Sequence, residues 1–236
     1  MPGAAAEVGP GSAVHGVGAA VEGVPGADQD APGMTPAVAM TAAELARRFQ
    51  LVQEVGRGSG GSAVFRALDA RGELGGAVAV KRVPRLSAEG RAALQREVDL
   101  LHELRGHPKV VQYVGHGDAA GHLWVVMEYC EGGSVQDLLD VTPDGLREEQ
   151  IAHVCREALE ALAGLHAKGL LHRDVKPGNM LVTSAGHVKL GDLGAAQRAA
   201  DASPGDWTAG PLWAAPEVLA IRPYGPPSDV WAIGIR

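Results

Sequence analysis

The chain has 236 residues, 46% of them hydrophobic, and a formal net charge of −7, which is enough apolar material for one large domain or two small ones. The negative charge, with no long basic block, argues against nucleic acid or an anionic membrane as a partner, and no apolar run is long enough to cross a bilayer. Cys130 and Cys155 are too few for a disulfide scaffold, so we expect a soluble, cytoplasmic protein with reduced thiols.

Residues 1–40 consist mainly of Ala, Gly, Pro and Val, with almost no large side chains. Such a segment cannot bury enough apolar surface to offset the entropy lost on ordering. We therefore predict a disordered, low-complexity tail over residues 1–46, although residues 41–45 have the pattern of a short helix. The folded domain is predicted to span residues 47–236.

Strand-like runs of apolar residues follow at 49–55, 63–68, 77–83, 110–114 and 123–128, with one helical segment at 87–104. After Gly132 and Gly133 the pattern becomes helical, and five apolar residues share one face: Ile151, Val154, Ala158, Leu162 and Leu165. We predict an α+β fold of two lobes, a small antiparallel sheet with one helix at about 47–129 and a mainly helical lobe at about 132–236. A cleft between the lobes, with the glycine pair at the crossing, is the expected binding site.

Residues 172–179 read HRDVKPGN, and Asp192 follows Asn179 by thirteen positions within the sequence GDLG. Shuffled chains of this composition would place the five polar residues of the first motif at these spacings roughly three times in a million. Asn179 is the single Asn of the chain and Lys176 is one of five Lys, so coincidence is a poor explanation. The motif supplies the carboxylates, ammonium and amide that phosphoryl transfer needs.

With this motif the sequence resembles a eukaryotic protein kinase of the serine/threonine type, similar to the sterile-kinase group, from about residue 49 to the end. The resemblance implies that Asp174 accepts or orients the proton of a substrate hydroxyl, and that Asn179 and Asp192 hold Mg²⁺ against the phosphates of ATP. Lys176 would neutralise charge on the moving phosphoryl group. A Lys at this position is usual in kinases that act on protein Ser and Thr.

A predicted strand with the sequence AVAVK ends at Lys81, and its alternation directs Ala79 and Lys81 to the same side. By the resemblance, Ala79 lines the nucleotide site, while Lys81 holds the α- and β-phosphates and pairs with Glu97 of the following helix. Either charge alone could be a solvated surface residue. The two in this order favour a catalytic pair.

Residues 56–61 read GRGSGG and follow a predicted strand. The motif alone is weak, because shuffling this glycine-rich chain gives roughly 0.6 matches by chance. A dinucleotide-binding loop would lead into a helix, whereas a strand follows here, which favours the kinase hairpin. The resemblance then implies that five residues cover the nucleotide: Val55, Gly56, Gly58, Gly61 and Val64. The usual valine position is Ala63, so either the loop has one extra residue or Gly60 and Gly61 exchange roles.

Residues 123–134 read LWVVMEYCEGGS and resemble the hinge of the sterile-kinase group. By this resemblance Met127 lines the back of the adenine pocket, the backbone of Glu128 and Cys130 binds adenine, and Leu181 forms the floor. A buried strand is the simpler interpretation of the same residues, and both can hold. Cys130 is expected to serve packing rather than reactivity.

The predicted activation loop, residues 195–208, carries few hydroxyls, those of Ser203 and Thr208. Arg173 beside Asp174 marks kinases in which a loop phosphate often pairs with that Arg. Asp206 occupies the place where sterile-group kinases often carry the phosphorylated Thr. We hypothesise that Asp206 orders the loop in part without phosphorylation; the alternative is a solvated loop carboxylate.

Two departures from the family pattern bear on activity. Gly210 stands where the family usually has a Thr that ties the catalytic residues to the substrate, and Leu193 replaces the usual Phe after Asp192. Several helices of the second lobe are expected beyond residue 236, so Trp231 and Ile233 are predicted to be exposed. The chain is therefore expected to express poorly or to bind nucleotide weakly. Besides an active kinase, the alternatives are an inactive or weakly active ATP-binding pseudokinase or scaffold and a fragment of a longer active kinase.

Overall fold

The computed structural model describes residues 38–58, 61–84, 88–207 and 210–235, which form two lobes. The elements of the first lobe, in chain order, are β1 Val38–Ala39, α1 Ala42–Arg48, β2 Phe49–Arg57, β3 Ala63–Asp69, β4 Ala77–Pro84, α2 Ala88–Glu103, β5 Tyr113–Ala119 and β6 His122–Glu128. The strands form one sheet in the order β1-β5-β6-β4-β3-β2. β1 is parallel to β5, and the other pairs are antiparallel.

The two faces of this sheet are covered by different helices. Val78 and Val80 of β4 pack with Leu45 of α1, whereas Val83 of the same strand packs with Leu94 of α2. Because successive side chains of a strand point to opposite faces, this alternation turns Lys81 toward the α2 side. That side faces the second lobe and forms the roof of the cleft.

The described fold includes residues 38–46, which were predicted to belong to the tail, whereas residues 1–37 of that predicted tail lie outside the described residues. Thr41 caps α1 by accepting a hydrogen bond from the Glu44 N–H (3.2 Å), and Glu44 accepts one from the Thr41 N–H (2.8 Å). Leu45 is fully buried. β5 also has Gly117 where a Cβ would lie 2.1 Å from the Met40 carbonyl. The short helix predicted at 41–45 is confirmed, and its single buried leucine fixes residues 38–46 to the sheet.

The second lobe contains α3 Val135–Val141, α4 Glu148–Ala167, β7 Leu170–Leu171, β8 Met180–Val182, β9 Val188–Leu190, β10 Gln197–Arg198, α5 Pro216–Leu219 and α6 Pro226–Ile233. β8 pairs with β9 and β7 with β10, both antiparallel. Ala158 and Leu162 of α4 pack with β8, β9 and Ala232 of α6. Ile151, predicted to share this packed face, lies in the first turn of α4 and is 37% exposed.

The strand predicted at 110–114 is displaced along the chain. β5 begins at Tyr113 and ends at Ala119, while Val111 donates its N–H to the Leu190 carbonyl of β9 (3.0 Å). Two glycines within β5 hid the strand from its apolar pattern. Val110 and Val111 are buried because they join the two lobes, not because they extend the sheet.

One apolar cluster crosses the lobe boundary and includes Leu104 and Tyr113 from the first lobe with Leu165 and Leu193 from the second. At the crossing, the Gly132 N–H donates to the Val182 carbonyl (2.8 Å). A Cβ on Gly132 would lie 2.8 Å from that same oxygen, so the glycine predicted here permits the close approach.

Of the two residues predicted to be exposed near the end of the chain, Trp231 and Ile233, only the first is exposed. Trp231 of α6 is 46% exposed, whereas Ile233 packs against the second-lobe core and is partly buried. Ile233 lies one turn after the buried Asp229, on the same face of the helix. None of the helices in the described residues is long and apolar enough to cross a membrane.

Candidate active site

In the cleft, three charged side chains that lie far apart in the sequence are in contact. The Lys81 ammonium of β4 donates to Glu97 Oε1 of α2 at 2.7 Å and to Asp192 Oδ1 at 3.1 Å. α2 presents Glu97 beside buried Val98, and Asp192 follows β9. The predicted pair of Lys81 and Glu97 is therefore formed, and Asp192 joins it from the second lobe.

Burial and the neighbouring charges shift the pKa values of these three residues in opposite directions. Burial lowers the pKa of Lys81, but the carboxylates of Glu97 and Asp192 outweigh it, so the pKa lies above its usual value. Burial raises the pKa of Glu97, and Lys81 offsets this effect only in part. For Asp192 the attraction of Lys81 outweighs burial, and the pKa is lowered. The ammonium and the Asp192 carboxylate are both held charged in the cleft.

Asp174, Lys176 and Asn179 form the second half of the site, on the turn between β7 and β8. Lys176 Nζ donates to Asp174 Oδ2 at 2.6 Å, and the Asn179 amide donates to the Asp174 carbonyl at 2.7 Å and to Oδ2 at 2.9 Å. The helical turn Pro177–Asn179 begins directly after Lys176 and ends at Asn179. Lys176 and Asn179, both predicted from the HRDVKPGN motif, thus converge on the carboxylate of the third predicted residue, Asp174.

The donor set suits a magnesium ion. Asn179 uses its amide nitrogen on Asp174, so its amide oxygen is the group left for a cation. Asp192 contributes carboxylate oxygens and is kept charged by Lys81. Carbonyl and carboxylate oxygens are the ligands that Mg²⁺ takes in proteins. Asn179 and Asp192 therefore fit the predicted metal-binding role.

Asp229 of α6 is a residue that the sequence interpretation missed. Its buried carboxylate accepts hydrogen bonds from the His172 N–H (2.9 Å) and the Arg173 N–H (2.8 Å), and His166 Nε2 lies 2.9 Å from Oδ2. Arg173 has a φ of 67°, a conformation that costs free energy for a residue with a side chain. Asp229 holds this turn in place directly before Asp174.

The glycine loop is a hairpin between β2 and β3, as predicted, and Ser59 and Gly60 lie outside the described residues. Gly56 pairs with Val64, which in turn pairs with Lys81 of β4. Directly opposed side chains share a face of a sheet, so Val64 lies on the same face as Lys81. Val64 therefore takes the position expected of the family's valine.

The other predicted loop residues have separate environments. Val55 lies at a bulge of β2 and is exposed. Gly58 donates its N–H to the Ser62 carbonyl (2.9 Å), and a Cβ there would lie 2.4 Å from Ser62 Oγ. Gly61 has a φ of +77°. The positive φ favours glycine at position 61, whereas a side chain at position 58 would require the Ser62 hydroxyl to move.

The predicted adenine pocket lies between β4, β6 and β8. Ala79 pairs with Met127 across β4 and β6, so both face the cleft with Lys81. Glu128 donates its N–H to the Gln112 carbonyl (2.9 Å), so this residue can offer adenine only an acceptor. Leu181 of β8 lies against Gly191, where a Cβ would come within 3.3 Å of it. Burial raises the pKa of the Cys130 thiol to about 12, as expected of a packing residue.

The comparison with known families decides the fold assignment. The sequence model described as "Protein kinase domain" matches residues 49–236. The chain belongs to the protein kinase domain family. The two lobes, with an antiparallel sheet and a mainly helical part, are those of a protein kinase.

Similar proteins are named protein kinases. "Serine/threonine-protein kinase 1" of Arabidopsis thaliana is 43% identical over 201 residues, 84% of this chain and 23% of the relative. "Mitogen-activated protein kinase kinase kinase kinase 3" of Homo sapiens is 38% identical over 208 residues, 86% of this chain and 23% of the relative. "Serine/threonine-protein kinase PAK 4" of Mus musculus is 38% identical over 184 residues, 77% of this chain and 30% of the relative. The kinase chain thus spans less than a third of these relatives.

Asp206 is the centre of a polar network in the activation segment of the kinase. Its carboxylate accepts hydrogen bonds from the Ser203 N–H (3.0 Å), from Gln197 Nε2 (3.1 Å) and from the Tyr224 hydroxyl. The Arg173 guanidinium, 3.6 Å from Oδ1, also donates to the Asp206 carbonyl and to Gln197. Asp206 is thus linked through Arg173 to residues 172–179, which we call the catalytic turn, and its side chain is only partly exposed.

The other residues considered in or near the activation loop have different surroundings. Thr208 lies outside the described residues, and Ser203 is exposed. Leu193 is buried with the α2 residues and so replaces the usual Phe as an apolar plug. A Cβ added to Gly210 would meet nothing within 4 Å, so space does not require glycine there. Glu217 accepts a hydrogen bond from Ser228 Oγ (2.5 Å).

Proposed function

We propose that this kinase transfers the γ-phosphoryl group of ATP to Ser or Thr hydroxyls of protein substrates in the cytoplasm. The observation that carries the proposal is the contact of Lys81 with both Glu97 (2.7 Å) and Asp192 (3.1 Å). That contact closes α2 onto the sheet and brings the Asp192 carboxylate of the second lobe to the same ammonium. Phosphoryl transfer needs such positioning and charge more than covalent help from the protein.

Each residue has a distinct role in the proposed reaction. Lys81 would hold the α- and β-phosphates, and Asn179 and Asp192 would hold Mg²⁺. The ion, when bound, neutralises charge on the phosphate oxygens. Asp174 orients the substrate hydroxyl and takes its proton, and Lys176, 2.6 Å from Asp174 Oδ2, neutralises charge as the phosphoryl group moves.

The identity of the acceptor rests on two observations. Lys176 stands two residues after Asp174, as is usual in serine/threonine kinases, and relatives over most of the chain are named serine/threonine-protein kinases. The alternative, an ATP-binding scaffold without activity, rests on Gly210. It is not favoured, because Asp174 and Lys176 are already in contact without a hydroxyl at position 210.

The test is phosphate transfer to a generic protein substrate by the parent chain and by Lys81→Met and Asp174→Asn variants. Each variant should lose at least about a hundredfold in rate, because each removes a charge that acts in the transition state. The matched controls are Lys168→Met and Asp144→Asn, which change exposed residues and should keep the parent rate.

Binding of Mg-ATP, measured by calorimetry, separates the alternatives. Binding without transfer by the parent chain would favour the scaffold. Equal transfer by the parent and both active-site variants would mean that another activity in the sample produces the signal, and would refute the proposal.

A further inference from the structure

β9 leads directly to Asp192, and a buried carboxylate holds its first residue. Glu157 Oε2 of α4 accepts the Val188 N–H at 2.5 Å, and Glu157 Oε1 accepts the Lys109 ammonium at 2.5 Å. The Glu157 side chain is 7% exposed and that of Lys109 16%. Burial raises the pKa of Glu157, but Lys109 and Val188 outweigh it and keep the carboxylate charged. Because Lys109 precedes β5, this ion pair joins the two lobes.

A second ion pair joins the lobes on the next residue of β9. Lys189 Nζ donates to Glu128 Oε1 at 2.9 Å and to Oε2 at 2.8 Å, with 15% and 25% of the two side chains exposed. Glu128 Oε1 also accepts the Gln112 N–H at 2.6 Å. Glu128, whose backbone was predicted to bind adenine, thus uses its side chain in an ion pair behind the cleft.

Backbone contacts lie between the two ion pairs. The Leu190 N–H donates to the Lys109 carbonyl (2.8 Å), and the Val111 N–H donates to the Leu190 carbonyl (3.0 Å). Next to them, His107 packs on α4 so closely that a Cβ on Gly164 would lie 2.1 Å from its Nε2. All three residues of β9 are therefore held by groups outside their own hairpin.

Two contacts connect β9 to the catalytic turn. The Gly191 N–H donates to the Asn179 carbonyl (2.9 Å), and the Gly191 carbonyl lies 3.0 Å from His172 Nε2. Displacement of β9 would therefore move Asp192 and Asn179 together. The positions of Asn179 and Asp192, the two residues that fit Mg²⁺ binding, therefore both depend on β9.

We propose that the ion pairs Lys109–Glu157 and Glu128–Lys189 form a clamp behind the cleft that positions Asp192 for the proposed reaction. Each lobe supplies one cation and one anion. An exchange of partners would oppose Lys109 to Lys189 and Glu128 to Glu157, which like-charge repulsion forbids. The clamp therefore fixes the register between the lobes. These four are positioning residues, and the role rests on the proposed function.

The first test is hydrogen exchange on the full chain without nucleotide. In Lys109→Met and in Lys189→Met, the amides of Val111 and Leu190 should exchange at least about tenfold faster, because local opening no longer breaks the ion pair. The Lys109→Met/Glu157→Gln double variant, which leaves no uncompensated charge, should show the same increase. Unchanged exchange in all three variants would overturn the proposal.

The matched control is Arg48→Met. Arg48 and Asp69 form an ion pair at 2.9 Å with 12% and 0% exposure, as buried as the clamp but within one lobe. This variant should leave the Val111 and Leu190 amides unchanged. Equal acceleration there would show that the clamp contributes general stability alone, and would also overturn the proposal.

The second test measures kcat and the half-saturating Mg²⁺ concentration. Lys109→Met and Lys189→Met should each raise that concentration about three- to tenfold and lower kcat, and their effects should combine less than multiplicatively because both act on β9. Unaltered Mg²⁺ dependence, or fully multiplicative effects, would count against the clamp. Absence of transfer by the parent chain would refute the proposed function instead, and hydrogen exchange would still decide the clamp.

Discussion

The activation segment offers the sharpest prediction, the replacement of Asp206 by Ala. The Asp206 side chain is 32% exposed and accepts three hydrogen bonds, from Ser203, Gln197 and Tyr224. It also lies near the Arg173 guanidinium that stands next to Asp174. The substitution removes all of these contacts and should release the segment from the catalytic turn.

The magnitude follows from these contacts. A net contribution of about 0.5–1.5 kcal/mol for each of the three hydrogen bonds gives a sum of about 1.5–4.5 kcal/mol. The contacts share one carboxylate and are not additive, and the ion pair with Arg173 is partly screened by solvent. A loss of about 2 kcal/mol changes the equilibrium between the ordered and the released activation loop about 30-fold. We expect Asp206→Ala to lower the transfer rate by about 10- to 30-fold.

The assay combines the initial rate of transfer with trypsin cleavage at Arg198, which lies exposed at the start of the segment. Asp206→Ala should be slower and cleaved faster. Asp201→Ala changes an exposed carboxylate of the same segment and should match the parent in both measurements. If Asp206→Ala keeps its rate within about twofold and its protection from trypsin, the ordering role is wrong.

Three further predictions concern Asp229, the two cysteine thiols and the pH dependence of the Asp206 contacts. Asp229→Asn leaves a buried N–H of the catalytic turn without an acceptor, so kcat should fall more than about tenfold; a parental kcat would contradict this. Iodoacetamide at pH 8 should modify Cys155 before Cys130, whose thiol has a pKa of about 12; peptide mapping with equal labelling would contradict this. Burial raises the pKa of Asp206, but Tyr224 and its other partners outweigh it and keep it below its usual value, so its contribution is lost only below about pH 4. Trypsin protection should therefore stay constant from pH 8 to 5, whereas a loop held by phosphate would weaken near its pKa of about 6.

The sequence predicted best what short-range patterns encode. The alternation in β4 put Ala79 and Lys81 on one face, and helical spacing put Glu97 beside the apolar residues Leu94 and Leu101. The turn with Asp174 and Asn179 is built from residues close in the chain, so its motif carried its geometry. In these places the local backbone determines the direction of each side chain.

The early start of the fold and the position of β5 were not predictable in the same way. Residues 38–46 are ordered because Leu45 enters a core formed by distant strands. β5 contains glycines, one of which gives room to the Met40 carbonyl. A local pattern contains neither of these partners.

The sequence by itself determined the family, the two lobes and the polar groups of the reaction, because each depends on periodicity or on a motif of adjacent residues. Tertiary structure decided how those groups are held. Asp229 meets His172 across 57 positions, and Lys189 meets Glu128 across 61. A buried carboxylate is identified only by the donors around it, and those donors come from elements that meet only in the folded protein.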